Sequence, residues 1–432
     1  MTVTTTASGG LAEDLGSFHA RAKEWVTANL EPLDGADPYL GHATDDADQV
    51  VRAKEIQRKL FDAGFAGLCY PVEYGGRGLP AEYQDAFIDV SYGYELPRLF
   101  NTPTFTIILP TILDFGTEEQ KKRYIPAALK GEELWVQFLS EPTGGSDLAG
   151  ALTRADRRGD VFVLNGSKIW STYAWKSDYA LCVARTNWDV PKHKGLSVLI
   201  VKVHQPGITI TQIKHVDGTD EFCQEFFDDV AVPADQVLGQ VDDGWNVASR
   251  LLLHEREAMS GSSPYAMAPR TASHESDQVS AAALAQDSGG ATDPRVRQLI
   301  GEARVLTRVH TALVGRIATS IRTGRLPAAG GSIPRLSNGM MRVRLASIAL
   351  EIAGDRAVAW NDDDPTGDLG VAYLGRQGPC IGGGTTEITR NIISERVLGM
   401  PREPAEDLDR PFRDVRTNAA VPRHRSSTQE QS

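Results

Sequence analysis

Cysteine is scarce in this 432-residue chain: Cys69, Cys182, Cys223 and Cys380 are far apart, and no Cys-x-x-Cys occurs. That argues against a disulfide framework and for reduced thiols used as small apolar fillers. The nine histidines include no His-Glu-x-x-His or similar spacing, so no metal site is expected. No apolar run is long enough to span a bilayer. The opening MTVTTTASGGLAEDLG has neither a basic n-region nor an apolar h-region, so no signal peptide and a cytoplasmic location are expected. Positive charge is in deficit, with 45 Lys and Arg against 57 Asp and Glu, a formal net charge of −12. Nucleic acid is therefore not the expected partner, although local basic pockets for a phosphorylated ligand remain compatible. No repeat of fixed period is visible.

Hydrophobic content is an ordinary 41%, and the length allows roughly two or three domains. Residues 1–12 are expected to be disordered. Apolar positions then recur at helical spacing over Leu15–Leu30, Asp48–Ala63, Ala81–Tyr94, Thr104–Phe115 and Glu118–Leu129. Thr117 is the expected N-cap of the last of these, with Gln120 at the capping-box position. From about residue 133 to 240 the period changes. VFVLNG, YALCVAR, LSVLIVKV, ITITQI and EFFDDVAV are short β-branched runs punctuated by Gly, Pro and Asp. Helical spacing returns with LLLHERE after Gly244. The Ala/Ser/Gly/Asp-rich tract Ser260–Asp293 reads as a loop with room for a short helix. Long helices follow from Asp293 to about Thr323 and from Pro334 to about Ile352, then shorter ones to Leu398. The expected layout is α+β and multidomain: helical over 13–132, β over 133–240, helical over 241–400, and a tail over 401–432.

The densest chemistry lies in LWVQFLSEPTGGSD (134–147) and VFVLNGSKIWST (161–172). The first is a strand-like run breaking into a Gly-rich turn, which brings backbone N–H groups and small hydroxyls up to a ligand. In the second, Asn165-Gly166 is a hairpin-turn signal, and Trp170 and Thr172 fall on one face. A Ser, a Gly-rich turn, a Trp for stacking and a Thr for hydrogen bonding suit a flat heteroaromatic cofactor.

FLSEPTGGSD resembles the T/S-E-P-x-A-G-S-D signature of acyl-CoA dehydrogenases, and NGSKIWST resembles their N-G-x-K-x-W-I-T signature. Roughly residues 50–400 follow that family's layout. The resemblance implies an N-terminal all-α domain, a central β-barrel-like domain and a C-terminal four-helix bundle. It implies FAD as cofactor, an acyl-CoA substrate and an electron-transfer flavoprotein as electron acceptor. It also implies assembly, as a homo-oligomer (dimer or tetramer) or a heterotetramer with a second acyl-CoA dehydrogenase subunit. By matching position, Gln137, Phe138, Leu139 and Ser140 would meet the flavin ring, with Trp170, Ser171 and Thr172 on its other side. Gly384, Thr385 and Glu387 would reach the pyrophosphate or adenosine end, and Ser146 and Gly383 the substrate. Glu351 and Gly354 resemble a segment that reaches FAD in a neighbouring subunit.

The base is the informative departure. α,β-Dehydrogenation needs a carboxylate to take the α-proton opposite the flavin. Most of the family places a Glu where this chain has Gly383, in IGGGTTE. A minority branch, with isovaleryl-CoA and long-chain acyl-CoA dehydrogenases, places it on a helix, immediately before an Arg. Glu255-Arg256 matches that pattern, and a helix-borne Glu filling the space of a loop Glu would require a small loop residue. Glu255 is therefore the expected general base, with Arg256 orienting it, Glu257 on another helix face and His254 without a catalytic role. The Arg-x-x-Phe-Gly motif that many relatives use for the pyrophosphate is not found in this sequence. Two rivals follow: a non-catalytic or half-site subunit of a heteromeric enzyme, or a flavin oxidase or monooxygenase on the same fold.

Overall fold

The structure is a computed structural model describing residues 13–33, 46–216, 218–259, 263–267, 281–359, 367–405 and 407–415. The expected disorder of residues 1–12, and most of the tract 260–280, lie outside the described residues.

Helices α1 (Leu15–Asn29), α2 (Asp46–Asp62), α3 (Ala81–Ser91), the single turn α4 (Arg98–Phe100), α5 (Leu109–Phe115) and α6 (Glu118–Leu129) precede the sheet. Asp14 caps α1 by accepting from Gly16 N and Ser17 N, and Phe18, Ala22 and Val26 form its buried stripe at a spacing of four. Phe18 meets Phe65 edge-on at 5.8 Å, and Phe65 stacks on Phe87 at 5.4 Å. The capping box on α6 is present: Gln120 N donates to Thr117 Oγ1, and Thr117 N donates to the Gln120 side chain. Gln120 Nε2 then donates to Asp235 O and Val237 O, tying this helix to the sheet. The segment Asn101–Ile108 is π-helical rather than α-helical.

Strands β1 (Trp135–Phe138), β2 (Arg154–Arg158), β3 (Val161–Thr172), β4 (Tyr179–Arg185), β5 (Leu196–Lys202), β6 (Ile208–Ile213), β7 (Phe222–Pro233) and β8 (Val237–Leu238) form one sheet in the order β6-β7-β3-β2-β4-β5-β8. β1 pairs parallel to β4. β4 and β5 are buried along nearly their whole length, as unbroken apolar strands covered on both faces should be. Asn165-Gly166 is not a hairpin turn. β3 runs straight through it, and the register against β7 slips between Leu164 and Gly166. Gly166 (φ 144°) marks a bulge where a Cβ would sit 2.8 Å from Thr153 Cα, so the glycine serves close backbone approach. The β2–β3 turn falls instead at residues 159–160.

Six helices follow: α7 (Gly244–Met259), α8 (Ala281–Asp287), α9 (Pro294–Arg322), α10 (Ser332–Ala353), α11 (Gly367–Gly375) and α12 (Thr386–Ile392). Asp293 caps α9 through Arg295 N and Val296 N. α10 is central, touching α7, α8, α9, α11 and α12. Its Arg344 binds Glu302 of α9 and Glu351 of its own helix. Among the described residues no helix is long and apolar enough to cross a membrane, and no acidic, His or Cys group is arranged to hold a metal.

The expected tail is only partly a tail. Residues 407–415 fold back onto the sheet, with Phe412 2% exposed. Phe412 N donates to Val190 O and Arg413 N to Trp188 O. The buried Arg185 guanidinium lies 3.5 Å from the Phe412 ring centroid while donating to Ala149 O, Ala151 O and Lys192 O. An aromatic ring on an otherwise buried cation is sufficient reason for this segment to order.

A buried ion pair joins the two motif segments. Lys168 Nζ on β3 donates to Glu141 Oε1 at 2.9 Å and to Leu139 O at 2.9 Å. Glu141 also accepts from Leu152 N at 2.6 Å and Thr153 N at 2.8 Å. Burial pushes the Glu141 carboxyl up, but Lys168 and these donors prevail and hold it below its ordinary range. Lys168→Met leaves Glu141 as an unpaired buried charge, with an expected loss of about 3–5 kcal/mol in unfolding free energy. A urea unfolding midpoint indistinguishable from the parent's would contradict this.

Candidate active site

Glu255 extends the buried stripe of α7, which includes Val247, Ala248, Leu251 and His254. The i, i+3, i+4 spacing that buries those residues turns Glu255 toward the protein, not toward solvent. Gln137 Nε2, from β1, donates to Glu255 Oε2 at 3.3 Å. Burial pushes the Glu255 pKa above its ordinary value; the Gln137 hydrogen bond and the Arg256 and Arg335 guanidinium groups oppose that rise. Arg256 is half-buried beside it. His254 and Glu257 face elsewhere. His254 Nε2 bonds Asp114 Oδ2 at 2.8 Å, and Glu257 lies 3.4 Å from His254 Nδ1.

The Gly-rich loop comes to this carboxylate. A Cβ placed on Gly383 would stand 3.4 Å from Glu255 Oε1, 3.6 Å from Arg335 Nε and 3.8 Å from Met259 Cγ. The space a loop side chain would enter thus already holds the helix-borne carboxylate. Gly383 also has φ 70°, a conformation side chains disfavour. It was expected to touch substrate. Its bare α-carbon faces Glu255, the expected base.

Trp170 and Ser140 reach the same neighbourhood along the backbone. Ile169 N donates to Ser140 O at 2.9 Å, which sets Trp170 beside the end of β1, three residues beyond Gln137. Trp170 is the unpaired residue of a second bulge in β3, between Ile169 and Ser171, with φ 69° and its side chain 55% exposed. A bulge re-aims a side chain, here leaving a large indole on the surface. Thr172 is half-buried and pairs in register with Phe222. Two expected cofactor residues offer only backbone. Phe138 is fully buried in the sheet core, and the Ser171 hydroxyl turns inward to Glu225 Oε2 at 3.0 Å. Burial raises that Glu225 carboxyl to about 8. Leu139 is half-buried and Ser146 exposed. Gly384 O accepts from Arg335 at 3.3 Å, Thr385 Oγ1 caps α12 through Ile388 N, and Glu387 turns to Arg390 and solvent. Glu351 is held by Arg295 and Arg344 within its own chain, away from the Glu255 cluster.

Sequence reasoning missed Arg335. It precedes a Leu near the start of α10, in no motif, and nothing in its neighbours signals a role. The Glu141–Lys168 pair lay inside both motifs, and two opposite charges in otherwise apolar strands were the available sign.

Three family models match in order: acyl-CoA dehydrogenase N-terminal domain over residues 14–132, middle domain over 137–230 and C-terminal domain over 242–398. The chain belongs to the acyl-CoA dehydrogenase family and is an oxidoreductase acting on acyl-CoA. Among individual relatives it is 33% identical to acyl-CoA dehydrogenase IpdE1 of Mycobacterium tuberculosis over 395 residues, 90% of this chain and 99% of that protein. It is 30% identical to acyl-CoA dehydrogenase FadE29 of the same organism, over 81% of this chain and 89% of that one. Among solved structures it is similar to the Tcur3481-Tcur3483 steroid ACAD, with TM-score 0.70 and 26% identity, covering 90% of this chain and 98% of the other.

Gly383→Ala is expected to cost about 1–2 kcal/mol from the left-handed backbone alone, and to press on Glu255. Thermal melts of the variant against the parent check the first part. Glu255 also carries a pH signature. Its folded pKa lies above the ordinary 4.5, so the unfolded chain gives up this proton first and stability falls as pH rises through that window. Glu255→Gln removes the titration. Its melting temperature relative to the parent should climb as pH rises above the ordinary carboxylate range; a flat difference would mean the carboxylate is solvated.

Proposed function

We propose that the chain is an FAD-dependent dehydrogenase that converts an acyl-CoA thioester to the trans-2-enoyl-CoA and passes the electrons to an electron-transfer flavoprotein. The observation that carries this reading is the Glu255 carboxylate: it is only partly exposed, hydrogen-bonded by Gln137 and set beside the bare Gly383, with the Arg256 and Arg335 charges favouring its ionised form. A lone carboxylate with a raised pKa in a lined site suits proton abstraction.

The residues at the end of β1 fit a flavin. An exposed indole standing beside a strand end is an open aromatic surface on which a flat ring could pack. Trp170 and Thr172 would contact the ring from β3. Gln137 to Ser140 would contact it from β1, with Phe138 and Ser171 contributing backbone only. Gly384, Thr385 and Glu387 would lie toward the remainder of the cofactor, and Ser146 toward the CoA arm. When bound, the flavin supplies the acceptor for the β-hydride. Glu255 receives the α-proton, Gln137 holds the carboxylate in place through its amide, and Arg256 lines the same wall.

Assembly belongs to the same proposal. Val305 and Val309, one turn apart on α9, are each 60% exposed, and Met340 on α10 is 55% exposed. Apolar side chains in that arrangement suit a helical face covered by a second subunit. The similar solved structure is named for two chains together, which favours a heteromeric partner as the alternative to a second copy.

The test is anaerobic bleaching of the purified flavoprotein by a panel of acyl-CoAs, a steroid side-chain thioester included. Glu255→Gln should slow bleaching at least about a hundredfold while the bound-flavin spectrum persists. Full activity in that variant would remove Glu255 as the base, and rapid oxygen consumption by the reduced parent would favour an oxidase.

A further inference from the structure

The proposal concerns Arg335, near the start of α10, and rests on the reading of Glu255 as the base. Its two terminal nitrogens are spent on the loop carrying Gly383: Nη1 donates to Pro379 O, and Nη2 to Gly382 O and Gly384 O. Three carbonyls on one planar fork fix a loop that has few side chains of its own to pack. The remaining donor, Nε, is buried and has no hydrogen-bond partner. It lies 3.6 Å from the point where Gly383 would carry a Cβ, and Glu255 Oε1 lies 3.4 Å from that same point. One empty position is therefore flanked by an unsatisfied donor and by the carboxylate. A buried donor without an acceptor is costly unless a neighbour or ligand satisfies it.

We propose that Arg335 is a positioning residue for proton abstraction: it clamps the Pro379–Gly384 loop beside Glu255 and sets its guanidinium charge across the bare Gly383 from the carboxylate. The positive φ of Gly383 favours glycine at this place, and a longer side chain at 383 would extend between the guanidinium and the carboxylate. Arg335 adds no chemical step. The α-proton would still pass from the substrate carbon to a Glu255 oxygen, and the flavin, when bound, would supply the acceptor for the β-hydride.

The groups that act on Glu255 come from three elements, two of them supplying a charge. Arg256 belongs to its own helix α7, Arg335 comes from α10, and β1 contributes the neutral Gln137. One step further out, Cys380 acts on Arg335, while Arg396 and Glu257 act on Arg256. Burial raises the carboxyl, and Arg335 is one of the two cations that oppose it. Losing that cation therefore moves the ionisation upward.

The experiment follows flavin bleaching by one good acyl-CoA across pH in the holoenzyme, for parent, Arg335→Met and Arg335→Lys. The acid limb of the rate profile should move up by about one pH unit or more in Arg335→Met. It should return toward the parental position in Arg335→Lys, which keeps the charge but cannot span three carbonyls and so melts lower. A second measurement needs no turnover. The pH-dependent gap in melting temperature between a protein and its Glu255→Gln form should widen in the Arg335→Met background. Should Arg335→Met not accumulate folded, Arg335→Gln carries both measurements. An unmoved acid limb together with an unchanged melting gap overturns the role of Arg335. Full bleaching by Glu255→Gln overturns instead the reading on which it rests, so the two failures are distinguishable.

Discussion

The charge of Lys168, sealed inside the sheet, is what the rest of the site stands on. Its ammonium is fully buried and, among the described residues, donates to Leu139 O and Glu141. Both belong to the segment leaving β1, whereas Lys168 belongs to β3. An ammonium in that setting cannot lose a partner without a large penalty, so the two segments have one mutual position. The Ser140–Ile169 hydrogen bond and the outward indole of Trp170 follow from that position. So does the direction in which Gln137 meets α7.

On the opposite wall a different economy operates. The family resemblance implied that a carboxylate on the helix and a carboxylate on the loop are alternatives. The geometry gives that exchange a physical form: Gly383 approaches Glu255 so closely that a Cβ would touch an oxygen. One acid can be present because the other is absent, and the backbone at 383 has adopted a conformation that only glycine holds without strain. Arg335 then takes the loop's carbonyls, which have no side-chain neighbours to hold them.

Most of the helical layout was legible, because each long helix carries a stripe at one spacing and several have written caps. Asp293 and Thr117 both cap as their sequence context implies. Glu255 was singled out by resemblance and not by periodicity: Glu255-Arg256 matches the branch with a helix-borne Glu, and the loop carries Gly383 where other relatives have an acid. Asn165-Gly166 misled because a glycine with positive φ serves a bulge as well as a turn. Only the approach of Thr153, from the segment just before β2, distinguishes the two. The same limit hid Arg335, whose partners lie 44 to 49 residues further along the chain. The ordered segment at 407–415 was read as tail for its polarity. Its buried aromatic residue, Phe412, was the exception that mattered.

That segment has a consequence for how the molecule is made. Arg185 and Trp188 belong to the central sheet, yet the ring that covers them arrives from far downstream in the chain. Until it arrives, a cation designed for burial stands beside an uncovered indole, and the carbonyls of Ala149 and Ala151 depend on a side chain with one flank open. Contacts between distant parts of a chain form late, because the intervening loop must first be ordered. The sheet is continuous in sequence from 135 to 238, yet one of its buried cations is covered by a ring that arrives only at residue 412.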